Sequence, residues 1–204
     1  MALLPKVEVP EGESGPWAVK RFTVSKEAAA FGSLRAMISH SVRYMPEGTY
    51  TQLTCKGRGI VMSDTPDEMR DHYEPVRRAR GNILINGLGL GMVLNACLLK
   101  PEVEHATVIE MEEDVIKLVG SYYLNKFGAE RLTIIHASAF DFKPPRGSFY
   151  NIVWHDIWDD ICTDNLPEMA TLHRRYGRRC DWQGSWSKET CKAYAKRENR
   201  EWRY

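Results

Sequence analysis

From residue 81 onward the sequence alternates short apolar runs with longer amphipathic ones, and this rhythm constrains the fold more than any other feature of the chain. Asn82–Asn86 (NILIN), Ala106–Glu110 (ATVIE), Leu132–His136 (LTIIH) and Tyr150–His155 (YNIVWH) are of strand length and apolar through their centres. Strands with that composition are buried on both faces, as in parallel sheets. Helical patterns at Gly91–Lys100 and Glu112–Phe127 separate the first three. The spacing predicts an α/β, Rossmann-like, mostly parallel sheet with helices on both faces.

Residues 1–80 read differently. Residues 1–16 suit an irregular arm rich in Pro, Gly and Glu. Trp17–Val24 suits a strand, and Lys26–Ile38 a helix with Ser25 as N-cap. Tyr50–Cys55 and Ile60–Met62 flank the turn Lys56-Gly57-Arg58-Gly59 as a hairpin. Asp64-Thr65-Pro66 opens a helix running towards Arg80. The expected division is an N-terminal extension over 1–80 and a cofactor-binding domain over 81–204, together forming one compact unit. Beyond Asp156, Asn165–Arg175 and Lys188–Arg200 suit helices and Cys180–Trp186 one short strand. A strand–helix–strand unit takes roughly 30 residues, so the 48 positions after Asp156 leave the sheet abbreviated at its C-terminal edge.

Ligands of open parallel sheets collect beyond the carboxyl ends of the strands. After the first strand stands Gly87-Leu88-Gly89-Leu90-Gly91, where glycines permit a sharp turn and the next helix offers N–H groups. Glu110 closes the second strand, 19 residues after Gly91. A carboxylate there can accept hydrogen bonds from both hydroxyls of a ribose. Its structural alternative is a strand-end charge or the N-cap of the following helix. The dinucleotide fingerprint G-x-G-x-x-G/A requires Gly or Ala at the position of Met92, so the spacing G-x-G-x-G disfavours a dehydrogenase.

Bulk properties exclude other classes. Balanced charge (28 Lys and Arg, 27 Asp and Glu) and 43% hydrophobic residues describe an ordinary globular chain. The five cysteines form no Cys-x-x-Cys pair, so neither a structural metal site nor a disulfide scaffold is expected, and a reducing compartment, the cytoplasm, is. No apolar stretch reaches the length of a membrane span. From Thr171 to Tyr204, ten Lys and Arg face four acids, a net +6 that leaves −5 for the remainder. Trp182, Trp186, Tyr194, Trp202 and Tyr204 interleave with those cations. A nucleic-acid contact through this basic tail and a solvated helical face are both open readings.

Four motifs in order, ILINGLGLG, VIEMEEDVI, HASAFDF and YNIVWHDIWDD, with the preceding hairpin and helix, resemble the class I S-adenosylmethionine-dependent methyltransferases, especially their spermidine-synthase-like branch. The likeness runs from about Thr49 to Asp160. It implies S-adenosylmethionine as cofactor. Gly87, Gly89 and Gly91 then line its methionine end, Glu110 binds ribose and Met111 packs on adenine. Ser138 and Ala139 fall at the adenine edge. Asp156 falls on the acidic position facing the sulfonium, and Asp159 on the second acid of the synthase pattern, making these two the candidate catalytic residues.

Several positions depart from that branch. Leu90 stands where it has an acid, Ser138 where the family has an Asp, and Ile157 and Trp158 replace small polar residues. No metal is implied. The expected activity is methyl transfer to an acceptor that the sequence does not name. Aminopropyl transfer and a non-catalytic binding protein with the same fold are the alternatives. His155 competes with Asp156 as a base or is a packed strand residue, and Trp154 and Trp158 wall a pocket or pack the core. The abbreviated sheet edge suits a homodimer or a docked partner.

Overall fold

The computed structural model describes residues 4–38 and 45–201; side chains at 33–38 and 199–201 are left out of the description. Trp202 and Tyr204, named above with the basic tail, lie outside the described residues. The strands are β1 (Gly12–Ser14), β2 (Trp17–Val24), β3 (Gly48–Cys55), β4 (Gly59–Ser63), β5 (Gly81–Asn86), β6 (Val103–Glu110), β7 (Leu132–His136), β8 (Tyr150–His155) and β9 (Cys180–Ser185). The α-helices are α1 (Lys26–Ile38), α2 (Pro66–Asp71), α3 (Tyr73–Arg78), α4 (Met92–Leu98), α5 (Glu113–Val115), α6 (Ser121–Phe127), α7 (Asn165–Tyr176) and α8 (Lys188–Glu201). A π-helical turn, Ile116–Gly120, joins α5 to α6.

Strands β5 to β9 form one parallel sheet in the order β7-β6-β5-β8-β9. Counted within this sheet the order is 3-2-1-4-5, the doubly wound arrangement whose switch point lies between its first and fourth strands. The alternating sides of its strands reach separate cores. Ile83, Ile85, Val108, Ile152 and Trp154 join one core with α4 and Tyr123 of α6. Leu84, Ile109 and Val153 face Tyr176 of α7 on the other side. The expected two-sided cover is therefore present, and β9 is the one strand added after β8.

The N-terminal segment differs from a bare hairpin. β1 to β4 form an antiparallel sheet in chain order. Gly12–Ser14, expected in an irregular arm, pairs with β2 instead. Trp17, Val19, Leu53 and Met69 enter the same core as β5 and β6. Asp64, expected in a helix start, is buried and holds the arm: its carboxylate accepts from Val7 N–H at 3.1 Å and from Thr51 N–H at 2.6 Å. The helix expected up to Arg80 breaks into α2 and α3 at His72.

Candidate functional site

The loops leaving β5, β6, β7 and β8 surround one cavity of about 220 Å³, lined on its far side by the N-terminal sheet, α2 and His72. Its lining includes Gly87, Gly89, Glu110, Met111, Ser138, Ala139, Asp156 and Asp159, eight of the nine positions singled out from the sequence. Gly91 is the exception. Its φ of +72° starts α4, and a β carbon there would stand 2.1 Å from the Tyr123 ring. Tyr123 donates its hydroxyl to Leu90 O at 3.1 Å, so this glycine serves the packing beneath the turn.

Close approach explains the other two glycines. A β carbon on Gly87 would meet the Asp156 carbonyl, and one on Gly89 would meet Met62 Sδ. The turn's N–H groups are largely engaged within the protein: Leu88 N–H donates to Glu110 Oε2 at 2.8 Å, Leu90 N–H to Met62 Sδ at 3.0 Å and Gly91 N–H to Leu88 O at 2.8 Å. These three N–H groups are therefore not presented to a ligand, and of them only that of Gly91 belongs to the helix start on which the expectation rested. Leu90, where the resembled branch has an acid, is fully buried in the core.

Glu110 is buried, and its second oxygen accepts from Glu112 N–H at 2.9 Å. The carboxylate thus clamps the turn after β5 to the loop after β6. Burial pushes its carboxyl upward, opposed by these backbone donors. The two carboxylate oxygens together offer four lone-pair positions, so the group keeps acceptor capacity towards the cavity beyond its backbone donors. Beside it Met111 is 62% exposed, an apolar shelf whose carbonyl is held by His136 Nε2 at 3.0 Å. Ser138 Oγ accepts from Phe140 N–H at 3.1 Å, which leaves its own proton free to donate.

At the opposite wall, Asp156 Oδ2 lies 3.7 Å from His72 Nδ1. His72 is 2% exposed, and its Nδ1 has no hydrogen-bond partner among the described residues. Burial pushes the Asp156 carboxyl upward, with His72 the main opposing influence. Asp159, at the rim, is ion-paired with Arg58 from the β3–β4 turn. Arg58 also sits over the Trp17 ring, 5.7 Å from its centroid, and Trp17 Nε1 donates to Glu112 Oε2 at 3.3 Å. Trp158 lines the cavity with its Nε1 donating to Glu168 Oε2 at 2.7 Å. Trp154 stacks on Trp182 at 6.3 Å in the core.

His155 is fully buried outside this lining. Asn86 Nδ2 donates to its Nδ1 at 2.7 Å, and Gln183 Oε1 stands 3.4 Å from its Nε2. Burial lowers its pKa to about 3, so it is a neutral packed strand residue rather than a base. Sequence reasoning missed His72, Met62 and Arg58, all contributed by the N-terminal segment. The only available signal was that this segment immediately precedes the glycine turn.

Among the described residues no cluster of His, Cys, Asp and Glu is arranged to hold a metal, and no helix is long and apolar enough to cross a membrane. No protein-family model matches the chain, and no curated protein matches its sequence. Among solved structures it is similar to spermidine synthase from Thermotoga maritima, with 15% identity over 84% of this chain and 52% of that one and a TM-score of 0.47. A Pyrococcus horikoshii protein described as a candidate RNA methyltransferase gives 12% identity over 59% and 57% of the two chains, with a TM-score of 0.44. A Staphylococcus aureus protein described as a candidate caffeoyl-CoA O-methyltransferase gives 16% over 56% and 51%, with a TM-score of 0.41. The chain spans 57%, 51% and 52% of the Pyrococcus, Staphylococcus and Thermotoga chains. Likenesses at this level assign no activity. The strand order and the two-sided helical cover of the parallel sheet make the chain a Rossmann-like α/β fold.

Proposed function

We propose that the chain is an S-adenosylmethionine-dependent methyltransferase. The observation that carries this reading is the convergence of Gly87, Gly89, Glu110, Met111, Ser138, Ala139 and Asp156, from four separate strand-end loops, on one cavity. The donor set fits the group. Glu110 offers acceptor positions for ribose hydroxyls, Ser138 a hydroxyl donor, and Met111 and Ala139 an apolar slot for a flat base. Gly87 and Gly89 leave backbone surface for the amino-acid end. The cofactor supplies a sulfonium-bound methyl group as electrophile.

The protein's own part is to bind, orient and accept a proton. In-line transfer gains most from positioning. Asp156, with its carboxyl pushed upward by burial, is suited to take a proton from the acceptor's nucleophile. His72 Nδ1, without a hydrogen-bond partner among the described residues, stands 3.7 Å behind it. Leu53, Val61, Ile109, Val115 and Trp186 give the remaining wall its apolar character and exclude water. The ion pair of Asp159 with Arg58 leaves Asp156 as the one of the two candidate catalytic acids that meets no arginine or lysine, which favours methyl over aminopropyl transfer.

Calorimetry with S-adenosylmethionine, its decarboxylated form and NAD tests this reading on the wild type, Glu110→Ala and Glu110→Gln. Binding of S-adenosylmethionine alone, lost in Glu110→Ala and weakened in Glu110→Gln, is the expected result. Preference for the decarboxylated form would move the assignment to aminopropyl transfer. Binding of none of the three sinks both.

A further inference from the structure

A second concavity adjoins the segment from Ala139 to Phe142, whose carbonyls one of its lining arginines holds. Arg174 and Arg175 in the last turn of α7, Arg178 and Arg179 just beyond it, and Ser148 and Phe149 before β8 line a space of about 460 Å³. None of the four guanidinium groups forms an ion pair with a described residue. Arg175 donates to the carbonyls of Ala139, Phe140 and Phe142, Arg179 to that of Pro145, and Arg174 to the Thr171 hydroxyl. Five other arginines, Arg58, Arg70, Arg77, Arg78 and Arg80, each meet a carboxylate, whereas Arg21, Arg131, Arg146 and Arg197 form no ion pair with a described residue but do not share one concave surface with three others.

We infer that this concavity binds the backbone of a single-stranded nucleic acid, with Phe149 stacking on a base. Four cations sharing one concave surface without counter-charge repel one another, and an anion removes that repulsion. Guanidinium forks match phosphate oxygens geometrically. A helix C-terminus favours cations and accounts for Arg174 and Arg175. It does not account for Arg178 and Arg179, which follow the helix, or for Phe149, which is 51% exposed on the same wall. Lys143 and Arg146, both exposed in the loop before Phe149, extend the positive surface. Stacking on an aromatic face requires an unpaired base, which selects a single strand over a duplex. This inference stands independently of the cofactor assigned to the first cavity.

Fluorescence anisotropy with labelled oligouridine and oligothymidine 12-mers, without cofactor, is the test. Four phosphate contacts on a single strand give a logarithmic salt slope near −2.8, so affinity should fall about 50-fold between 50 and 200 mM salt. Arg174→Glu with Arg178→Glu should weaken binding at least about tenfold and flatten that slope by roughly 1.4. Both side chains are exposed and hold no backbone group, and circular dichroism checks that the fold is kept. Arg178→Gln alone, at a side chain bonded to no described residue, should reduce the slope by about 0.7. Phe149→Ala should weaken binding roughly 5- to 150-fold and leave the slope unchanged. Lys26→Glu, on exposed α1 surface, controls for net charge. Absence of binding by the wild type at 50 mM salt would overturn the inference. So would wild-type affinity in the double arginine variant. Equal competition by inorganic polyphosphate, with no effect of Phe149→Ala, would reassign the concavity to polyanions lacking bases.

Discussion

The carbonyl oxygen of Asp156 lies 1.9 Å from the point where a β carbon on Gly87 would stand. The segments leaving the neighbouring parallel strands β5 and β8 therefore touch at the switch point with no room for a side chain, at the edge of the cavity. The Asp156 N–H donates to Asn86 O at 2.8 Å, which fixes the approach.

Gly87→Ala should consequently be severe. Its φ is +93°, so a side chain adds strain to the overlap. Together these effects destabilise by about 3 kcal/mol or more. Gly57→Ala is the matched comparison, with φ of +85° and nothing within 4 Å. Backbone strain alone should cost about 1 kcal/mol there. Urea unfolding of both variants measures the difference, and equal losses would refute the account of this close approach.

His155 predicts an acid-sensitive fold. Its folded pKa, near 3, lies below that of an exposed imidazole, so between those values the unfolded chain binds more protons than the native one. Its contribution is complete above about pH 6.5 and is lost as pH falls towards 3, at up to roughly 1.4 kcal/mol per pH unit. His173, lowered to about 4 by burial, acts in the same direction. His155→Gln should remove its share of the slope. Unfolding free energies at pH 7, 6 and 5 check this, and an unchanged slope contradicts it.

Asp156 should act with the opposite sign. Burial raises its folded value above the ordinary aspartate range, so its ionised form burdens the native state as pH rises through that interval. Asp156→Asn should gain stability relative to wild type between pH 3.5 and pH 7. His72→Leu removes the main influence opposing the shift, so the Asp156 carboxyl should titrate still higher. Carbon-detected NMR titration, assigned by difference with Asp156→Asn, reads this directly; a downward move would sink the coupling.

Arg58 and Asp159 are both substantially solvent-exposed, with side-chain accessibilities of 50% and 40%. Arg58→Ala should therefore change stability by less than about 1 kcal/mol. It should also free Asp159 and create affinity for a diamine that the wild type lacks. Calorimetry with putrescine distinguishes the two proteins, and equal heats would show that the ion pair does not control charge at the rim.

Much of the parallel sheet was legible because its signals are local. β7 and β8 have the boundaries that their apolar runs predict, and Glu110 and Asp156 stand at strand ends that periodicity alone locates. The π-turn at Ile116–Gly120 was not legible, since the helical pattern continues through it. Nor was β1, a three-residue strand whose existence depends on pairing with β2. His72 and Met62 carried no pattern either. Their importance comes from the N-terminal segment folding over the strand ends, a contact between residues distant in sequence.

Sequence by itself determined the succession of parallel strands from β5 to β8, the glycine turn and the acids at the strand ends, because hydrophobic period and backbone freedom are properties of neighbouring residues. Only the tertiary structure decided what each group faces. It turned Gly91 and Leu90 into core, spent Glu110 partly on backbone donors, paired Asp159 with Arg58 and set His72 against Asp156. Burial and the distances between charges settle those roles, and both arise only when remote segments meet.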